Sequence, residues 1–165
     1  MVVAGKIFKL SDPLSVADIA SRLEGYRAEE EYEEGDYKFT LLTEVVGLVP
    51  KGRMLRGIYS HDYVTQVFHR GKILPTPRTV EAVFSFEAHE GTTFLTVVEK
   101  KRVANFIANK LSQILFEKVG GVLEARISPE TLKGFHSRIQ RIRKSLSLTM
   151  LTFQTLTSSP STVQT

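Results

Sequence analysis

The sequence predicts an α+β fold: a curved antiparallel sheet of about six strands packed on a long amphipathic helix, with additional helices near the N- and C-termini. Three observations carry this reading. Residues 27–98 run as short β-type segments separated by turn residues. Over residues 102–118 the apolar side chains Val103, Phe106, Ile107, Leu111, Ile114 and Leu115 fall at the spacing of one helix face. Shorter helical patterns stand on either side, after Ser15 and after Ser128. Hairpin connections imply antiparallel pairing, and a sheet with one apolar face needs a cover, which amphipathic helices supply.

Taken in order, Lys6-Ile7-Phe8-Lys9-Leu10 alternates as a short strand, and Ser11-Asp12-Pro13 ends it. Ser15 and Asp18 then form a capping-box-like pair. Val16, Ile19, Ala20 and Leu23 share one helix face, and Gly25 is the stop. Residues 27–34 and 37–46 flank Gly35-Asp36 as a first hairpin. Pro50-Lys51-Gly52 reads as a turn. Residues 53–59 and 63–70 flank Ser60-His61-Asp62 as a second hairpin, and residues 71–77, with two prolines, read as a loop. Residues 80–86 and 93–98 flank His89-Glu90-Gly91 as a third. After the long helix, Gly120-Gly121 is a break and residues 122–127 a strand. Ser128-Pro129-Glu130 opens a last helix, with Leu132, Phe135, Ile139 and Ile142 as its apolar stripe.

Residues 1–144 are expected to form one domain. Residues 145–165 carry no charge and are rich in Ser and Thr. They read as a final strand with a flexible end, as a loosely packed or disordered terminus, or as a non-native extension.

The 165 residues suffice for a hydrophobic core. No apolar run reaches membrane-spanning length and no signal-peptide pattern opens the chain, so a cytoplasmic location without a membrane partner is expected. The absence of Cys excludes disulfides, thiolate metal sites and a cysteine nucleophile. Together with few Asn and Gln before residue 145, it suits a heat-adapted protein. The net charge of +4 is uneven: residues 1–48 hold ten acids and five bases, whereas from Lys100 onward eleven bases face three acids. Such asymmetry points to an anionic partner.

Motifs for catalysis are missing. There is no phosphate-binding GxxxxGK[ST] or GxGxxG loop and no GxSxG elbow. Ser60-His61-Asp62 has the residue types of a catalytic triad, but neighbours in a turn do not have its geometry. His61 and His69 lie on one face of a presumed strand yet about 26 Å apart, too far for one metal; His61 and His89 read as exposed turn residues. The acids Glu29, Glu30, Glu31, Glu33, Glu34 and Asp36 suit a protected edge strand, or a divalent-metal site if others converge on them. No metal and no cofactor are expected.

The basic residues carry the leading functional expectation, a nucleic-acid-binding or nucleic-acid-associated protein using a basic C-terminal surface. Lys100, Lys101 and Arg102 open the long helix, and Lys133, Arg138, Arg141, Arg143 and Lys144 accumulate in the last one. Arg56 and Arg70 belong to a second basic set, with Lys51, Arg53, Lys72 and Arg78, interleaved with Tyr59, Tyr63 and Phe68. Cations of this kind neutralise phosphates and aromatics on an open sheet stack bases. Up to Lys118 the order of elements resembles the helix-grip architecture, in which a sheet wraps a long helix around a ligand cavity; the saddle-shaped sheet of TATA-box-binding proteins arranges similar parts. The helix-grip resemblance implies an alternative, a non-enzymatic binder of a small apolar ligand in a cavity lined by Phe84, Phe86, Phe106 and Leu111. A metal-dependent nuclease using the acidic first third is another alternative. A homo-oligomer paired through the uncharged tail is a further one.

Overall fold

The computed structural model describes residues 4–126 together with Ser128 and Glu130. Its elements run β1 (Lys6–Leu10), α1 (Val16–Leu23), β2 (Arg27–Glu34), β3 (Tyr37–Lys51), β4 (Met54–His69), β5 (Lys72–His89), β6 (Thr92–Val98), α2 (Lys101–Phe116) and β7 (Val122–Glu124). The strands form one seven-stranded sheet in the order β2-β3-β4-β5-β6-β1-β7, antiparallel at each pairing.

This overturns the expected architecture. Strand makes up 58% of the described chain, and the two helices are short, with 8 and 16 residues. The fold is a seven-stranded antiparallel sheet, not a sheet of about six strands organised on a long helix. The expected C-terminal helix falls outside the described residues, as do Lys133, Arg138, Arg141, Arg143, Lys144 and the proposed boundary at residue 145. A compact unit ends at Ala125.

The main cause of the difference lies in the middle of the chain. Ser60-His61-Asp62 is no turn: β4 continues through it for 16 residues. Residues 71–77 are no loop either, because the chain reverses at Arg70-Gly71 and β5 runs on for 18 residues. Arg70 and Gly71 adopt φ of 49° and 78°, and Glu90-Gly91 repeats the pattern at 47° and 76°. Two consecutive positive φ values define the tight hairpin turn whose twist matches that of the strands. Pro75 and Pro77 are tolerated in β5 because the β6 ladder stops at Val83↔Val98. The proline nitrogens therefore need no strand partner on that side. The expected Pro50-Lys51-Gly52 turn shifts to Gly52-Arg53, with Pro50 paired to Leu55.

Both helices are closed by local contacts. Ser15 Oγ accepts the Asp18 N–H at 3.0 Å and donates to the Asp18 carboxylate at 2.6 Å, capping α1. Gly25 takes φ 68° after it. At the end of α2, Glu117 turns left-handed. The buried Ser112 hydroxyl donates to Lys118 O and accepts the Gly121 N–H, both at 2.8 Å. Two backbone groups beyond the helix end are thereby satisfied.

Alternation along each strand sorts the sheet into two faces. One face carries Phe8, Val45, Leu55, Tyr59, Ala82, Phe84, Phe86, Leu95 and Val97, all buried. Ile19 and Leu23 of α1 and Ala104, Ile107, Ala108, Leu111 and Leu115 of α2 complete this core. Gly57 lies on the same face, where a Cβ would come within 2.7 Å of the Phe84 ring and 2.9 Å of Leu48. Only glycine lets Phe84 lie down on β4.

Candidate functional site

The polar groups that matter sit where this core meets α2. Tyr59 and His61 are successive inward residues of β4, two positions apart, so both point toward the helical side. Register places Val45 and Thr43 of β3 beside them on one flank, and Ala82 and Val80 of β5 on the other.

Tyr59 is fully buried, and its hydroxyl has no hydrogen-bond partner among the described residues. Burial, assisted by the neighbouring Tyr26 phenol, drives its ionisation far above the usual tyrosine range, so Tyr59 is a neutral phenol. Buried hydroxyls in folded proteins are nearly always paired, because leaving one unpaired forfeits its hydration for nothing.

His61 is the next step outward. Its ring lies 6.4 Å from that of Tyr59 and 4.9 Å from that of Phe106, which reaches across from α2. Its Nδ1 is hydrogen-bonded to Thr43 Oγ1 at 2.8 Å. Burial and the Lys110 ammonium hold the imidazole below its usual range, against the pull of Asp62 and Glu30. Lys110, one helical turn beyond Phe106, places Nζ 5.7 Å from the centre of that ring. It forms no ion pair among the described residues. Asp62 points to the other face, accepting from Thr79 Oγ1 at 2.7 Å and from the Leu42 N–H at 3.0 Å, contacts that lower its pKa. Ser60, His61 and Asp62 therefore do not act on one another as a triad.

The expected site residues are dispersed. Lys100 is the N-cap of α2, with Lys101 and Arg102 in its first turn, all exposed. Arg56 is exposed on the face of β4 opposite Gly57, and Arg70 is in the β4–β5 turn. Arg70 lies fourteen positions beyond Arg56, about 45 Å along an extended strand, so they do not form one patch. Tyr59, expected to stack bases from an open face, is buried. Residues 1–126 contain 17 of the 22 bases and 17 of the 18 acids, so the positive charge of the chain resides in residues 127–144.

The acidic strand behaves as an edge. Glu29 pairs with Arg27 at 2.9 Å, Glu33 with Lys38, Glu31 with Thr40 at 2.8 Å, and Glu34 with Tyr32 and with Gln66 at 3.0 Å. Among the described residues no group of three or more His, Asp or Glu could hold a metal ion. His89 is exposed beside its turn, as expected, whereas His61 is not a turn residue but half-buried in β4.

Of the four side chains expected to line a cavity, Phe84, Phe86 and Leu111 are fully buried in the core, the two rings meeting edge to face at 5.7 Å. Only Phe106 belongs to the polar cluster. Sequence reasoning missed Tyr59 and His61 as a pair because it broke β4 between them. Continuing the alternation Leu55, Gly57, Tyr59, His61 would have placed both inside. No helix among the described residues is long and apolar enough to cross a membrane. No protein-family model, curated protein or solved structure matches the chain.

Proposed function

We propose that the chain binds a small organic molecule against the core face of the sheet, at Tyr59 and His61. The fully buried Tyr59 hydroxyl, unpartnered among the described residues, carries the reading. A neutral donor in the apolar core, with the His61 ring 6.4 Å from its own ring and the Phe106 ring 4.9 Å from that of His61, suits a ligand with an apolar body and a hydrogen-bond acceptor. Such sites combine mostly apolar walls with a few placed polar groups. The test is a fluorescence titration of the full chain with anilinonaphthalene sulfonate, beside the Tyr59→Phe variant. The expected result is saturable one-to-one binding, weakened roughly tenfold in the variant, the worth of one buried hydrogen bond. Dye that does not bind, or that binds both proteins alike, overturns the reading.

A nucleic-acid-binding reading retains one support, the concentration of five bases against one acid in residues 127–144. It predicts salt-dependent oligonucleotide binding that weakens when Arg141 and Arg143 are both replaced by Glu. Retention that is insensitive to salt and to this double change contradicts it.

A further inference from the structure

The arrangement around Tyr59 also indicates what kind of molecule it receives, and this inference rests on the small-molecule reading above. From the inside outward the groups run from the Tyr59 phenol to the His61 imidazole, the Phe106 ring and the Lys110 ammonium. Successive separations are 6.4, 4.9 and 5.7 Å. The inner end offers a neutral donor, the middle two flat rings, and the outer end a cation.

Four further charged or hydrogen-bonding groups act on this column or touch it. The Tyr26 phenol lies near the Tyr59 end. Asp62 is committed to Thr79 and Leu42 on the opposite face. Thr43 is committed to His61. Glu30 lies on the exposed edge strand β2, and its field at the imidazole is weaker than that of Lys110. Lys110 is thus the strongest charge acting on the ring from nearby, and it has no carboxylate within ion-pair distance among the described residues. Its ammonium lies 5.7 Å from the centre of the Phe106 ring, within cation–π range.

We infer that the ligand is an amphipathic organic anion: a flat or hydrocarbon body lying along His61 and Phe106, and a carboxylate- or sulfonate-type head meeting Lys110. The inner phenol is left for an acceptor atom on the body. A fully apolar ligand would waste both polar ends, and a cation would meet Lys110 with like charge.

The experiment compares two dyes that differ by one group, anilinonaphthalene sulfonate and the uncharged phenylnaphthylamine. Each is titrated into the full-length protein, into Lys110→Met and into Tyr59→Phe, at low and high salt. The expected result is that the sulfonate dye binds wild type roughly three- to tenfold more tightly at low salt, as one partly exposed charge pair supplies. Lys110→Met abolishes this preference, high salt shrinks it, and Tyr59→Phe weakens both dyes. Equal affinities in wild type, with both dyes still sensitive to Tyr59→Phe, overturn the anion assignment and leave the binding site standing. A preference that survives Lys110→Met also overturns it. If neither dye binds, the site itself fails, and the anion assignment with it.

Discussion

Burying a phenol without a partner costs stability, and Tyr59 is where this chain bears that cost. The hydroxyl is desolvated and receives no hydrogen bond among the described residues, whereas phenylalanine would fill the same space without it. Beside it, burial and Lys110 keep the His61 imidazole neutral more readily than a free histidine. The unfolded chain then takes up a proton at higher pH than the folded one. The His61 contribution to stability is therefore present at neutral pH and lost as pH falls from the ordinary histidine value through the lower folded one. An NMR titration should find the His61 midpoint below that of a free imidazole, and Lys110→Met should raise it. A midpoint above the free value contradicts the placement of Lys110. Asp62 acts at more acid pH: the Thr79 hydroxyl and the Leu42 N–H lower its pKa, so its contribution disappears as the carboxylate protonates.

At the scale of elements, two residues fix how helix and sheet meet. Gly57→Ala would drive a methyl group into Phe84 and Leu48; overpacking of this kind costs about 1–3 kcal/mol, measurable by urea unfolding. Ser112→Ala removes the buried hydroxyl that serves Lys118 O and Gly121 N–H and should cost about 2 kcal/mol in the same measurement. A loss below a few tenths would mean that the α2–β7 turn holds without it. Local signals of this type were readable in advance. Lys6–Leu10, the Ser15 cap, the Gly35 hairpin and the apolar stripe of α2 each follow from a few neighbouring residues. What could not be read was continuity. Ser60-His61-Asp62 has turn composition but is held in strand by pairing on both sides, to Glu44 and Thr43 and to Glu81, Val80 and Thr79. Pro75 and Pro77 look like loop residues and sit in a strand whose neighbour has ended. Arg70-Gly71 reverses the chain with a non-glycine residue at positive φ, which composition does not announce. Cross-strand context overrode local preference in all three places, and each error shortened a strand, so the sheet was underestimated and the helix overweighted.

At the scale of the whole molecule, charge and chemistry occupy different parts of the chain. The basic balance that suggested a nucleic-acid surface belongs to residues 127–144, while residues 1–126 carry equal numbers of acids and bases. The described fold instead lines up a buried phenol, an imidazole, a phenyl ring and an ammonium that has no ion-pair partner among the described residues. This site was only partly legible: Phe106 was named from helix periodicity, but Tyr59 and His61 required an unbroken β4. Among the described residues the Tyr59 hydroxyl has no hydrogen-bond partner, and the proposed binding site rests on that group. The most direct test is urea unfolding of wild type and Tyr59→Phe without any added ligand. The variant is expected to be more stable by about 1 kcal/mol, because an unpaired buried hydroxyl has been removed. A variant less stable by a similar amount would show that the hydroxyl is bonded within the protein, and would remove the ground for a ligand at Tyr59.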